Sequence, residues 1–136
     1  MNYPIVQKAT EFSRDFEIKA HENDLDHMMN RTVDFLYEEI KETQNALSEN
    51  NLAEIIDGFG DVAFIALNGI YKEFCRQGDP HEEATKKVSL VMQRICEANL
   101  GKKHPDGYIK YVNGKVQKPE GWKPPQYEDL LEKVKA

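Results

Sequence analysis

The sequence predicts an all-α fold: a bundle of four to five helices with a small C-terminal hairpin and an irregular tail. Apolar residues recur at helical spacing as far as Ala98. Capping residues, Gly and Pro separate the periodic stretches, as at helix ends. After Asn99, Gly and Pro become frequent. We therefore expect a single domain over residues 1–136, with a helical core at 1–98 and a Lys-, Gly- and Pro-rich tail at 99–136.

Four long helices are expected in this core, over residues 3–18, 24–48, 52–76 and 80–98. Gly78 is expected to cap the third helix, and Asp79-Pro80 is a typical helix start. An Asn113-Gly114 turn predicts a hairpin at 108–118, followed by a short terminal helix. The apolar positions expected to pack inward are Ile5, Ala9, Phe12 and Phe16; Met29, Val33, Leu36, Ile40 and Leu47; Ala84, Val88, Val91, Ile95 and Ala98; and Tyr127, Leu130, Leu131 and Val134.

Composition excludes several classes of protein. The net charge is −6 and the pI is near 5.2, which argues against a general nucleic-acid binder. Cys75 and Cys96 form no C-x-x-C pair. We therefore expect both cysteines to be small core residues of a protein in a reducing compartment. The N-terminal residues lack the apolar run of a signal peptide, and no apolar stretch is long enough to span a membrane. We expect a cytoplasmic protein without a membrane or nucleic-acid partner.

Carboxylates cluster at helical spacing on the second predicted helix. Glu38 and Glu39 lie four and three residues before Glu42, so the three share one side of the helix. A tight connection to the third helix favours an antiparallel pair. The acidic side of the second helix is therefore expected to face the start of the third.

The third helix carries a matching set, Glu54, Asp57 and Asp61, within an arc of roughly 60°. Acidic helices are usually solvated faces, and acids such as Glu54 and Asp57 also suit the first turn of a helix. Asp61 is different, because it lies about two turns in and leads into the apolar run 62–67, where a carboxylate needs a partner.

Basic residues do not neutralise these two sets. No Lys or Arg occurs between Lys41 and Lys72, and like charges at this spacing repel. A hard divalent cation with oxygen ligands, Mg²⁺ or as a substitute Mn²⁺, would relieve the repulsion. The pattern predicts a magnesium site formed by both helices.

These residues resemble the signature of the all-α nucleoside triphosphate pyrophosphohydrolases. That group comprises the MazG-like proteins, the dimeric dUTPases, the dCTP pyrophosphatases and phosphoribosyl-ATP pyrophosphohydrolase. The acidic motifs at 38–42 and 54–62 carry the likeness, and Glu97–Lys102 resembles the family's Asn-x-x-Lys. Gly114–Pro125 is similar to the "GKV-x-KPEGW-x-PP" tail of bacterial and phage MazG-like members. The likeness covers residues 6–131.

The resemblance implies a homodimer or homotetramer that hydrolyses a nucleoside triphosphate between its α- and β-phosphates with Mg²⁺, releasing a monophosphate and pyrophosphate. It makes Glu39 and Glu42 metal ligands, and Glu38 a ligand of a second ion or the residue that orients the attacking water. Glu38 and Glu39 are then the catalytic pair. Contacts to phosphate or sugar are implied for Asn99, Lys102 and Lys118.

The third helix departs from the family pattern. The Asp before the Val-rich run is Asp61, but the position three residues earlier is Gly58 instead of Glu. Glu54, Asp57 and Asp61 are all candidate metal ligands, and we favour Asp57 with Asp61. The aromatic residues that could stack on a base, with core packing as the alternative for each, are Phe12, Phe16, Tyr108, Tyr111 and Trp122.

Two other functions compete with this one. A helical regulatory module could bind a metal or a basic partner without catalysis, although the intact carboxylate set disfavours it. A di-iron bundle would need Glu-x-x-His on two helices, which the four histidines His21, His27, His81 and His104 do not provide.

Overall fold

A computed structural model describes residues 4–131 of the chain. The fold is all-α, as predicted, with one small hairpin near the C-terminus. Helix α1 spans Pro4–Phe12 and continues into a π-helical segment at Ser13–Ile18 and a 3₁₀ turn at Lys19–His21. The elements that follow are α2 (Leu25–Ser48), α3 (Leu52–Arg76), α4 (His81–Leu100), β1 (Tyr111–Val112), β2 (Lys115–Val116) and α5 (Glu128–Leu131).

The chain divides within α4 into two compact units, the first ending at Val88 and the second beginning at Ser89. The first unit holds α1, α2, α3 and the start of α4. The second holds the rest of α4, the hairpin and α5. The predicted boundary at residue 98 followed the change in composition, whereas these units divide inside a helix that is continuous to Leu100.

Side-chain caps set the starts of the two central helices. Asp24 accepts a hydrogen bond from the His27 amide at 2.9 Å, and Asn51 accepts one from the Glu54 amide at 3.3 Å. These bonds satisfy amide groups that a helix start leaves free. Gly78 follows α3 with a φ of +106°, which suits glycine at a helix end. The predicted spans of the second and third helices are therefore confirmed to within a residue.

The hairpin also forms where the sequence predicts it. Asn113 and Gly114 have φ values of 52° and 76°, the positive values that a two-residue type I′ turn requires. Tyr111 pairs with Val116 across this turn. The predicted terminal helix is observed at Glu128–Leu131, and Val134 lies outside the described residues.

Helix α2 contributes one methionine and three smaller residues to the core of the first unit. Its buried positions are Met28, Thr32, Thr43 and Ala46. The predicted inward stripe of this helix is wrong, since Met29 and Leu36 are half-buried and Val33, Ile40 and Leu47 are exposed. Of the set predicted for the first helix, only Ala9 is buried, while Ile5 and Phe12 on α1 and Phe16 in the π-helical segment are exposed. Small side chains allow α3 to approach α2 closely, and the large apolar residues remain on other faces.

The inward positions on α4 are predicted better. Ala84, Val88 and Val91 are buried, and Ile95 and Ala98 are half-buried. The two cysteines are free. Cys75 is half-buried, but Cys96 is exposed, so the prediction that Cys96 is a core residue is wrong. An apolar spacing pattern alone does not say which side of a helix a neighbouring element covers.

Helices α2 and α3 are joined by residues 49–51 and therefore pack antiparallel. They approach closely at Gly58, where an added Cβ would lie 2.3 Å from Thr43 Oγ1. Thr43 is buried, and its hydroxyl donates to the Glu39 carbonyl oxygen at 2.7 Å. An added Cβ would also lie 3.1 Å from Thr43 Cβ, which a change of the Thr43 rotamer does not move, so the position favours glycine for its lack of a side chain.

We expect Gly58→Ala to lower the free energy of unfolding by about 1–3 kcal/mol, because the added methyl group overpacks the contact with Thr43. The matched control is Gly60→Ala on the same helix. No atom lies within 4 Å of an added Cβ there, so the better helix propensity of Ala should stabilise by up to about 1 kcal/mol. Urea unfolding followed by circular dichroism measures both changes. Equal effects of the two substitutions would contradict the close contact.

His81 is expected to make the stability of the protein depend on pH. Its ring Nδ1 lies 2.8 Å from the hydroxyl of Tyr71, which is buried. Burial, and after it the charge of Arg14, lowers the pKa of His81 from its usual 6.5. The unfolded chain therefore takes up a proton at a higher pH than the native state, and stability falls as the pH decreases below about 6.5.

We expect the thermal midpoint of the protein to decrease between pH 7.5 and pH 5.5, and this decrease to be smaller in His81→Gln, which removes the titrating ring. His27→Gln, at an exposed position, serves as the control and should keep the full decrease. Melting curves at several pH values provide the measurement. An identical pH slope in His81→Gln and the control would show that His81 does not carry the effect.

Candidate functional site

An acidic cleft lies between α2 and α3. Its volume is about 390 Å³. Five of the six predicted metal ligands line it, and Glu38, exposed on α2, does not. The lining residues are Glu39, Glu42, Asn45, Ala46, Glu49, Glu54, Asp57, Gly58 and Asp61. Carboxylates of the two helices, which the sequence predicts to face each other, therefore line one cleft.

Helical spacing explains which residues reach the cleft. Asn45, three residues after Glu42, and Glu49, the C-cap residue that follows α2, continue the face that carries Glu42. Neither residue was predicted, although the spacing from Glu42 was the available signal. Gly58 lines the acidic cleft and packs against Thr43. A Glu side chain there has no room, which gives a physical reason for the departure from the Glu-x-x-Asp pattern.

The carboxylates of the cleft repel one another. Partial burial is the largest factor that raises the pKa of Glu39, followed by the negative charge of Glu42 and then that of Asp61. A hydrogen bond with Glu42 and the charge of Asp57 act in the same direction. No Lys or Arg is among the lining residues. The cleft thus concentrates negative charge without a balancing cation of its own.

The donor set fits a hard divalent cation, because it consists of carboxylate and amide oxygens. Their positions in the described structure are a separate matter. Within residues 4–131, no three His, Cys, Asp or Glu side chains are already arranged to hold a metal ion. The chemistry of the cleft suits Mg²⁺ or Mn²⁺.

A second cavity, which we call the aromatic cavity, shares a wall with the acidic cleft. Its volume is about 460 Å³, within the range typical of small-molecule sites. Glu39 and Asp61 line both spaces. The other residues of the aromatic cavity are Phe12, Phe16, Glu17, His21, Phe35, Phe64, Ile65, Asn68 and Lys72.

Aromatic rings form one side of this cavity. The ring centroids of Phe12 and Phe16 are 5.1 Å apart, and those of Phe12 and Phe64 are 5.3 Å apart in an edge-to-face arrangement. Phe12 is 40% and Phe16 is 68% exposed. Core packing, the alternative role for these two residues, is therefore not what they do in the first unit. Both side chains line the cavity and remain partly exposed, so they could contact a planar ligand there.

The π-helical segment at Ser13–Ile18 positions the polar part of the same wall. Glu17 lies on it, accepting a hydrogen bond from Ser13 Oγ at 2.7 Å and an ion-paired one from Lys72 Nζ at 2.6 Å. The wider turn of a π-helix often occurs at functional sites. Glu17 was not predicted, because nothing in the periodicity distinguishes a π-turn from an ordinary helix. Asn68 and Lys72 lie on the regular helix α3 and were not predicted either, because the contact of Lys72 with Glu17 spans 55 residues.

The predicted phosphate-binding residues belong to the second unit. Asn99 donates its side-chain amide to the Ile95 carbonyl at 2.9 Å. Lys102 and Lys118 place their ammonium groups 5.5 and 4.8 Å from the centroid of the Trp122 ring. The indole nitrogen of Trp122 donates to the Ala98 carbonyl at 2.7 Å. The ammonium groups of the two lysines therefore lie near the same aromatic ring. Their contacts to phosphate stay a prediction.

The other predicted stacking residues, Tyr108 and Tyr111, are exposed near the hairpin of the second unit. Over residues 4–131, no helix is both long and apolar enough to cross a lipid bilayer. Comparisons with protein-family models, with curated proteins and with solved structures find no match to this chain.

Proposed function

We propose that this protein is a Mg²⁺-dependent nucleoside triphosphate pyrophosphohydrolase of the all-α, MazG-like type. One observation carries the proposal: Glu39 and Asp61 line both the acidic cleft and the aromatic cavity. A nucleotide has a planar base at one end and a phosphate chain at the other. Two adjoining cavities, one aromatic and one rich in metal-ligating oxygens, suit those two ends.

The charge of the cleft supports a metal-dependent reaction. A triphosphate is an anion and would be repelled by Glu39, Glu42, Asp57 and Asp61 unless cations lie between them. When bound, Mg²⁺ would neutralise phosphate charge and lower the pKa of a bound water molecule. The proposed reaction is attack of water at the α-phosphorus, with the α–β bond broken and pyrophosphate as the leaving group.

The proposed ligands are Glu39 and Glu42 from α2 and Asp57 and Asp61 from α3. Glu54 also lines the cleft, but the main charges that raise the pKa of Glu39 are those of Glu42, Asp61 and Asp57. This difference supports the aspartate pair over Glu54. The catalytic role proposed for Glu38 rests on the family resemblance, since this side chain is exposed outside the cleft.

A homodimer or homotetramer in the cytoplasm is the proposed form of the protein. Large apolar side chains are exposed along α2 and α3, and surfaces of that kind are typical of protein–protein interfaces. They are Val33, Tyr37, Ile40, Leu47, Leu52, Ile56 and Phe59. Light scattering after size exclusion should give a mass two or four times the 15.7 kDa of one chain. The mass of a single chain would contradict the proposal.

The direct test is incubation of the purified protein with each canonical and modified-base NTP and dNTP, with Mg²⁺, Mn²⁺ or EDTA. Pyrophosphate is measured by a coupled assay and the monophosphate by chromatography. We expect equal amounts of the two products from one or a few nucleotides, and none in EDTA. Release of inorganic phosphate and a diphosphate would contradict the proposed bond cleavage. No turnover at all would favour the non-catalytic regulatory module.

A further inference from the structure

Two buried polar residues of α3 lie at the wall of the aromatic cavity. Asn68 is 1% and Lys72 is 2% exposed, and both line the cavity. They are four residues apart on one helix, so their side chains lie on the same face, one turn from each other. A buried amide and a buried ammonium group need a reason, because each loses hydration.

Asn68 has an unused hydrogen-bond acceptor. Its Nδ2 donates to the Phe64 carbonyl oxygen at 3.2 Å. Because a carbonyl can only accept, this bond fixes which end of the amide faces the helix. Within residues 4–131, Asn68 Oδ1 is the buried side-chain polar atom that has no hydrogen-bond partner. Buried polar groups are nearly always paired in proteins, so an orphan beside a cavity indicates a missing donor.

Lys72, one helical turn after Asn68 on α3, has donors to spare. Its ammonium group carries three protons, and in the described part of the chain its hydrogen-bond partner is Glu17 Oε2. The other oxygen of Glu17 accepts from Ser13, which is fully buried. The ion pair is therefore held in place from the π-helical segment. One helical face thus presents an acceptor from Asn68 and a donor from Lys72 at the same cavity.

We propose that Asn68 and Lys72 read the hydrogen-bonding edge of the substrate's base in the aromatic cavity, an inference that rests on the proposed function. An N–H group of the heterocycle donates to Asn68 Oδ1, and a neighbouring carbonyl oxygen or ring nitrogen accepts from Lys72 Nζ. The phenyl rings of Phe12 and Phe16 cover the face of the base. The preferred substrates are nucleotides whose base carries an N–H donor beside an acceptor, and alkylation of that nitrogen excludes them.

This assignment makes Asn68 a specificity-determining residue. Sites built to hydrogen-bond a ligand group discriminate strongly against analogues that lack it, because the protein's own polar group is then left unpaired. Stacking on phenyl rings discriminates little by itself, since every base has a π-face. Selectivity among bases should therefore depend on the polar pair more than on the aromatic side.

The test uses nucleosides, which have no phosphate to hydrolyse. Binding of the common ribo- and deoxyribonucleosides to the full chain is measured by saturation-transfer NMR and titration calorimetry. The tightest is then compared with its analogue methylated on the N–H nitrogen. We expect the analogue to bind about tenfold more weakly or worse. Equal affinity of the two for the wild-type protein overturns the proposal without any substitution.

The variant arm is Asn68→Leu, which keeps the size of the side chain and removes its polarity. It should lose the preference for the unmethylated nucleoside and bind both forms alike. The matched control is Thr32→Val, which removes a buried hydroxyl that bonds to the Met28 carbonyl and lines neither cavity. The control should keep the preference. Full discrimination in Asn68→Leu, with its fold verified by circular dichroism, overturns the role of Asn68.

The two proposals can fail separately. Triphosphate hydrolysis with unchanged base selectivity in Asn68→Leu sustains the enzyme and overturns the base-reading pair. Nucleoside binding that depends on Asn68, without hydrolysis of any triphosphate, sustains the pair as a binding site and overturns the enzyme. Absence of nucleoside binding to the wild-type protein at millimolar concentration overturns the base-reading pair.

Discussion

Glu39→Gln is expected to lower Mg²⁺-dependent triphosphate hydrolysis by more than about 100-fold. Residues that merely support a metal ligand cost about 10–100-fold when they are replaced, and Glu39 is proposed as a ligand itself. It lies at the wall shared by the acidic cleft and the aromatic cavity. Because burial and neighbouring carboxylates raise its pKa, removing the charge relieves repulsion. The metal-free variant should therefore melt no lower than the wild type.

The control for this prediction is Asp34→Asn, which removes the same charge from the same helix. Asp34 is exposed and pairs with Arg31 at 3.3 Å, and it lines neither cavity. Its activity should remain close to that of the wild type. Steady-state kinetics with the nucleotide turned over fastest, combined with thermal melts, provide both readouts. Full activity in Glu39→Gln would remove the acidic cleft as the reaction site.

Asp61→Asn separates the two open ligand assignments on α3. Asp61 is half-buried and contacts both cavities, whereas Glu54 is exposed at the edge of the cleft. Kinetics of Asp61→Asn and Glu54→Gln, measured side by side, should give the larger loss for Asp61→Asn. The reverse order would assign the metal to Glu54.

Local signals allowed the sequence to predict most of the fold. Asp24 and Asn51 are capping residues whose hydrogen bonds are observed, and Asn113-Gly114 is a turn pair whose positive φ values are observed. Each of these features depends on a few neighbouring residues. The burial of α2 could not be predicted in the same way, because it depends on which face α3 covers. Thr43 is buried there, and the large apolar Leu47 is exposed.

The candidate site also has a part that local spacing predicts and a part that depends on tertiary structure. The carboxylates of the cleft lie on two regular helices, so their spacing was sufficient to place Glu39 and Asp61 on facing sides. The aromatic cavity needs the π-helical segment after Phe12, which changes the direction of Phe16 and Glu17 relative to an α-helix. No residue type specifies a π-turn. The pairing of Glu17 with Lys72 across 55 residues is likewise a tertiary contact that periodicity does not encode.

The Glu17–Lys72 pair is expected to give a strongly asymmetric double-mutant cycle. Lys72 is 2% exposed, whereas the side chain of Glu17 is 20% exposed and also accepts a bond from Ser13. Glu17→Gln leaves a buried ammonium group without its counter-charge, and breaking a buried pair from one side costs about 3–5 kcal/mol. Lys72→Met leaves a carboxylate that water can reach, so it should cost less. Urea unfolding of both variants gives the two free energies.

The double variant Glu17→Gln/Lys72→Met should be more stable than Glu17→Gln alone, because replacing both charges removes the unpaired ion. Asp15→Asn, which breaks the exposed pair with Arg14 at 2.9 Å, should leave the unfolding free energy nearly unchanged. An equal cost for Glu17→Gln and Lys72→Met would contradict the burial of the ammonium group. If the double variant folds well and loses its preference among nucleosides, the ion pair serves recognition of the base more than stability. In that case, binding of the base would explain why the charge of Lys72 is buried although the fold does not need it.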